Sequence, residues 1–207
     1  MSIRNILAAR VTDAEHRDLR ADSSTHALEV INYEHHEVHS GSSFMANYSN
    51  DVTNIGEMTV IAFNTPNTTK WAHLVFSADA TAGATFALYE APSIDPDEGT
   101  QLTIYNRNRN SSTASTVTSI ETVPVVNKAT SFNETQAASA NITTTTRLVY
   151  HIIGSGGNQP TAGQTRGQTE FVLKQNTQYA VVMSSLTNDD ASHTITLSWY
   201  EHTDRGV

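Results

Sequence analysis

Thr194-Ile195-Thr196-Leu197-Ser198-Trp199-Tyr200 alternates polar and apolar side chains residue by residue. In an extended chain successive side chains point to opposite faces. Ile195, Leu197 and Trp199 therefore share one face, and Thr194, Thr196, Ser198 and Tyr200 share the other. The same period recurs at Ala72, Leu74 and Phe76, at Phe86 and Leu88, and at Leu102 and Ile104. It returns at Leu148, Tyr150 and Ile152, at Phe171 and Leu173, and at Tyr179, Val181 and Met183. Met58, Val60 and Ala62 interleave with Thr59, Ile61 and Phe63, which reads as a strand buried on both faces. Trp71 and Trp199 fall within strand patterns and read as core. With residues 27–39 also taken as extended, the pattern predicts an all-β fold, a β-sandwich or jelly roll of about eight strands.

Composition supports that reading. Of 207 residues, 38% are hydrophobic and only 16% charged, so solubility must come from uncharged polar side chains. Thr, Ser and Asn together make up about a third of the chain; Thr suits a pleated surface, while Ser and Asn suit turns. The net charge of -9 repels phosphate backbones, which argues against nucleic acid and anionic membranes as partners. There is no cysteine, so a disulfide framework and Cys-based chemistry are excluded. The first twenty residues lack the apolar core of a signal peptide, and the expectation is folding in the cytoplasm.

Two regions are predicted: an N-terminal arm, residues 1–26, and a β-sandwich domain, residues 27–207. The arm mixes Arg4, Arg10, Arg17 and Arg20 with Asp13, Glu15, Asp18 and Asp22. Three stretches read as long polar connections: residues 110–119, 129–146 and 154–168. The last holds five of the ten glycines but lacks the Lys-Ser/Thr of a phosphate-binding loop. The Ser/Thr-rich and Gly-rich loops are expected to face solvent.

One segment carries residues suited to chemistry, Tyr33-Glu34-His35-His36-Glu37-Val38-His39. On a strand His35, Glu37 and His39 would share a face and form a weak candidate for a divalent metal. Strand residues four apart lie about 13 Å apart, however, too far for one ion without a bulge. Asp95-Pro96-Asp97-Glu98-Gly99 is an acidic turn without the later bidentate Glu of a calcium loop. No nucleophile elbow or triad is nominated, and the expectation is a protein that is not an enzyme and holds no cofactor. Asn106-Arg107-Asn108-Arg109-Asn110 is the compact basic spot, suited to bidentate contacts with carboxylates of another protein.

A set of segments resembles a family of tailed-bacteriophage virion structural proteins, the capsid decoration (cement) proteins. It comprises Tyr33 to Phe44, Gly99-Thr100 with Asn106 to Asn110, Glu170 and Leu173 before Asn176-Thr177-x-Tyr179, and Trp199-Tyr200-Glu201-His202. The resemblance implies a β-sandwich that forms homotrimers on the outer face of the capsid, with the major capsid protein as partner and the virion as location. It carries no catalytic residue. On this reading Arg4, Arg10, Arg17, Tyr33, His35, His39, Arg107 and Arg109 are the expected subunit or capsid contacts. The alternative is a carbohydrate-binding β-sandwich module of a phage fibre or tail accessory protein, because jelly rolls host lectins as readily as capsid proteins.

Overall fold

The computed structural model describes residues 33–92, 100–122, 146–154 and 170–203. The arm with Arg4, Arg10 and Arg17, the acidic turn, and most of the second and third polar connections lie outside the described residues. The chain separates into two units, Met1–His36 and Glu37–Val207. Of the first, only the opening turn of a helix is described.

That helix, α1 (Tyr33–Ser40), precedes eleven strands among the described residues. They are β1 (Ser43–Val52), β2 (Met58–Asn64), β3 (Lys70–Ala80), β4 (Ala84–Glu90), β5 (Thr100–Gln101), β6 (Tyr105–Asn106), β7 (Thr118–Thr122), β8 (Thr146–Ile153), β9 (Phe171–Val172), β10 (Gln178–Ser185) and β11 (Ala191–Thr203). β5, β6 and β9 are two-residue pairings, which leaves eight longer strands among the described residues; six of them, β2, β3, β4, β8, β10 and β11, carry the predicted alternation, whereas β1 and β7 fall where it predicts no strand. All pairings are antiparallel and make two sheets, β6-β1-β11-β3-β9 and β5-β7-β2-β10-β4-β8. The architecture is an all-β sandwich.

β11 organises the first sheet. Its register runs unbroken against β3 from His193↔Ala80 to Thr203↔Lys70, and against β1 from Ser43↔Tyr200 to Val52↔Ala191. Ile195, Leu197 and Trp199 are buried, and their core continues through Phe44, Leu74 and Phe76 into Ile61, Phe63, Phe86, Leu88, Tyr179 and Val181 of the second sheet. Phe76 of β3 meets Phe86 of β4 at a ring separation of 5.1 Å, which joins the two sheets. Burial of such a side chain contributes about 2–3 kcal/mol. The other face of β2, β10 and β4 is apolar as well: Met58, Val60, Ala62, Ala87, Tyr89, Ala180 and Val182 form a second buried cluster. β2 is thus buried on both faces, as its sequence predicts.

Four expectations need correction. Residues 33–39 are helical, not extended. Leu102 and Ile104 pack against the core, but from the segment between β5 and β6 rather than from a strand. In β8 the register shifts between Leu88 and Tyr89 of its neighbour β4. Leu148, at that shift, packs against the core as the alternation predicts, but Val149 and Ile153 turn inward as well, while Tyr150 and Ile152, predicted on the face of Leu148, are 40% and 60% exposed. Trp71, finally, is half-buried on the outer side of β3, because Ala72 and Leu74 take the inward parity. Only Trp199 is a core tryptophan.

Candidate contact surface

α1 stops at a glycine cap. Gly41 has φ +77°, its N–H donates to Val38 O at 3.1 Å, and Ser42 N–H donates to Glu37 O at 3.0 Å. This pair of bonds satisfies carbonyls that the last helical turn leaves open. His39 lies in that turn, where a basic residue complements the helix dipole. On a helix His35 and His39 share one side while Glu37 turns away from them. Glu37 is 5% exposed, whereas His35 and His39 are exposed. The His35, Glu37 and His39 set therefore does not converge, and no group of three potential metal ligands forms among the described residues.

The Asn-Arg-Asn-Arg-Asn segment is built against this cap. β6 pairs with β1 through Phe44↔Asn106 and Met45↔Tyr105. The Asn106 side-chain amide donates to Gly41 O at 2.8 Å and to Thr113 O at 3.0 Å, and that of Asn108 donates to His39 O at 3.0 Å. The side-chain oxygens of the same two residues accept from backbone N–H groups two positions on, Asn108 N at 2.9 Å and Asn110 N at 3.1 Å. These are Asx turns, which stiffen a loop without a regular ladder. The asparagines thus scaffold the loop.

The arginines face outward from it, both exposed. Arg107 is anchored to Ser43 by its N–H at 2.8 Å and its guanidinium at 3.3 Å. The Arg109 guanidinium lies over the Tyr105 ring, 5.5 Å from the centroid, a cation–π geometry. Tyr105 is 44% exposed. Met45, Tyr105, Asn106, Arg107 and Arg109 line an open depression of about 430 Å³. Tyr and Arg on a stiff backbone are the residue types that carry binding energy at protein interfaces.

Behind the shelf a buried carboxylate ties the next segment down. Glu201 is 2% exposed. It accepts from Ser115 Oγ at 2.5 Å, Thr116 Oγ1 at 2.6 Å, Thr116 N–H at 3.0 Å and Trp199 Nε1 at 3.0 Å. Its own N–H donates to Ser42 O at 2.9 Å. The Ser/Thr-rich connection expected to face solvent is therefore partly inward: Ser115 and Thr116 serve Glu201, and Val117 is 3% exposed in the core.

Among the predicted contact residues, Arg107 and Arg109 share this shelf, and His39 contributes its carbonyl to the scaffold. Tyr33 opens α1 and His35 is exposed on it. Met45, Tyr105 and Glu201 were not predicted as site residues. The parity of β11 offers the cue for Glu201, since it falls on the face of Ile195, Leu197 and Trp199, where a carboxylate needs partners.

The fold is an all-β sandwich, and this shelf exposes the side chains of Tyr105, Arg107 and Arg109. No protein-family model matches the chain, and no curated protein does. Among the described residues no helix is long and apolar enough to cross a membrane.

Proposed function

We propose that the protein is a virion structural protein of a tailed bacteriophage, a decoration (cement) protein that binds the outer face of the head as a homotrimer and stabilises it. The resemblance in the segments quoted above supports the family. Three of those segments meet in the structure: Ser42 and Ser43 after α1, the Asn106 to Asn110 loop, and Glu201 of β11. The observation that carries the contact role is the shelf of Tyr105, Arg107 and Arg109 on its asparagine scaffold. Guanidinium groups carry forked donor sets suited to carboxylates, here those of the major capsid protein. One exposed ion pair contributes at most about 1 kcal/mol. A trimer engages three sites at once and gains avidity by effective concentration. Binding to the assembled shell, and not to free capsid subunits, then stabilises the shell by mass action. The carbohydrate alternative is less well supported, because guanidinium groups cover the two exposed tyrosine rings among the described residues that a sugar would stack on, Arg109 over Tyr105 and Arg147 over Tyr150.

Co-sedimentation with mature heads lacking the protein tests the proposal. Saturable binding at a fixed ratio to capsid subunits, with added heat resistance of the shell, is expected. The double variant Arg107→Ala/Arg109→Ala should bind more weakly and with a shallower salt dependence. Absence of binding to expanded heads overturns the capsid role, and a glycan array then decides on the carbohydrate reading.

A further inference from the structure

A second polar cluster lies on the outer face of the five-stranded sheet, where β3, β11 and β9 run side by side. His73 is opposite Tyr200, and His202 is opposite Trp71, so the two histidines are diagonal neighbours on adjacent strands. The His73 ring stacks on Tyr200 at 4.6 Å and packs against His202 at 4.4 Å. Glu170, just before β9, brings Oε1 to 2.6 Å from His73 Nδ1, and the Tyr200 hydroxyl donates to the same oxygen at 2.7 Å. Partial burial opposes ionisation of Glu170, but the hydrogen bonds from Tyr200 and His73 and the nearby imidazoles outweigh it and hold its pKa below the ordinary value.

The hydrogen bonds set the tautomers of both rings. A carboxylate oxygen already taking a proton from Tyr200 can only accept from His73, so His73 carries its proton on Nδ1. His202 Nδ1 lies 3.0 Å from the carbonyl oxygen of Thr203, which also only accepts, so His202 carries its proton on Nδ1 too. Both Nε2 atoms are then acceptors, and they lie 2.6 Å apart, a contact close enough to share one cation. Two acceptor nitrogens at that separation repel unless a proton or a metal ion is shared between them.

We propose that His73 Nε2 and His202 Nε2 form a binding site for one divalent transition-metal ion of the zinc, nickel or copper class. Imidazole nitrogen is the ligand these ions favour. Metal–nitrogen bonds of about 2.0–2.1 Å separate two ligand nitrogens by roughly 3 Å, so small ring rotations open the pair to receive the ion. The surroundings match what a histidine metal site uses. Glu170 on His73 Nδ1 is the carboxylate that orients a ligating imidazole and raises its basicity, the Thr203 carbonyl does the same for His202, and Tyr200 holds Glu170. Glu170 caps the far side of the His73 ring and is a positioning residue, not a third ligand. With two protein ligands, water or a partner's side chain completes the coordination. The His73 side chain is 13% exposed and that of Glu170 40%, so the ion reaches the site from solvent.

The test uses the full-length protein, stripped with a chelator and titrated with zinc chloride by calorimetry and by nitrogen-15 NMR of the imidazoles. One equivalent should bind, and the Nε2 resonances of His73 and His202 should be the ones that move. His202→Ala should abolish the site, and Glu170→Gln should weaken it about 10–100-fold. His35→Ala/His39→Ala should leave it unchanged, which separates it from the other histidines. No uptake by the wild-type protein overturns the proposal and leaves a shared proton as the bridge; uptake that survives in His202→Ala overturns it as well. The NMR readout needs no substitution, so a variant that fails to fold leaves the result readable.

Discussion

The side-chain amide of Asn106 donates to the main-chain carbonyl of Gly41 at 2.8 Å, which fastens the arginine loop to the end of α1. A second N–H of the same amide group serves Thr113 O at 3.0 Å. Asn106→Ala leaves both carbonyls without this donor and should cost about 1–2 kcal/mol. For a domain of this size that is a drop in Tm of about 2–4 °C per kcal/mol, measurable by thermal denaturation. Because Asn106 sets the loop's geometry, the proposed capsid binding should fall with it even though both arginines remain. Unchanged stability would mean that the loop is held from elsewhere.

Two glycines separate backbone strain from crowding. Gly41 and Gly56 have nearly the same φ, +77° and +79°. A Cβ on Gly56 meets nothing within 4 Å, whereas one on Gly41 lies 2.9 Å from Ser111 Cβ. Gly56→Ala should therefore cost only the left-handed backbone penalty, about 1 kcal/mol. Gly41→Ala should cost more, and Gly41→Ala/Ser111→Gly should recover only the excess. Equal losses in the two single variants, measured by urea denaturation, would show that residue 111 yields freely.

The sandwich was legible wherever one face of a strand is buried and the ladder is regular. β3 and β11 keep period two along their buried faces, so Leu74, Phe76, Ile195 and Leu197 could be placed inward from sequence. In β8 Leu148-Val149-Tyr150 and Ile152-Ile153 put apolar residues on both parities, so alternation alone does not decide the inward face, and at the register shift Leu148 and Val149 both pack on the core. Tyr33 to His39 has few apolar residues and therefore no period that separates the helix α1 from a strand. Its usable signal was local, His39 followed by Ser40 and Gly41, a basic last turn and a glycine cap. The basic loop was visible, but the role of its asparagines was not. Their partners Gly41 and His39 are 65 and 69 residues away, a distance no local pattern spans.

Glu201 should prove one of the costlier single truncations. Glu201→Ala removes the acceptor shared by Thr116 N–H, both hydroxyls of Ser115 and Thr116, and Trp199 Nε1. Trp199 Nε1 keeps Ser115 Oγ at 3.2 Å, but Thr116 N–H and the two hydroxyls lose their acceptor; at about 1–3 kcal/mol for each donor left unpaired in a buried site, a loss of about 3 kcal/mol or more is expected. Trp199 emission should shift to longer wavelength as the freed segment lets water in. A loss below about 1 kcal/mol would show that water replaces the carboxylate readily.

His193 predicts how stability depends on pH. It is fully buried on the inward parity of β11, with Nδ1 3.2 Å from Thr59 Oγ1 of the facing sheet and no partner for Nε2 among the described residues. Burial lowers its pKa from 6.5 to about 4, and the Glu57 carboxylate, which pulls the other way, is outweighed. The folded protein therefore keeps the ring neutral while the unfolded chain takes up a proton as the pH falls through 6.5. The stability held by the neutral ring is complete above that value and is lost progressively down to about pH 4. The shift corresponds to a total on the order of 3 kcal/mol. Denaturant titrations of the wild-type protein and of His193→Gln at pH 7 and pH 4.5 isolate this contribution, because carboxylate titrations are common to both. The wild type should lose about 2–3 kcal/mol more than the variant over that interval. Parallel losses would mean that the imidazole is protonated within the fold, with Nε2–H reaching an acceptor after the core rearranges.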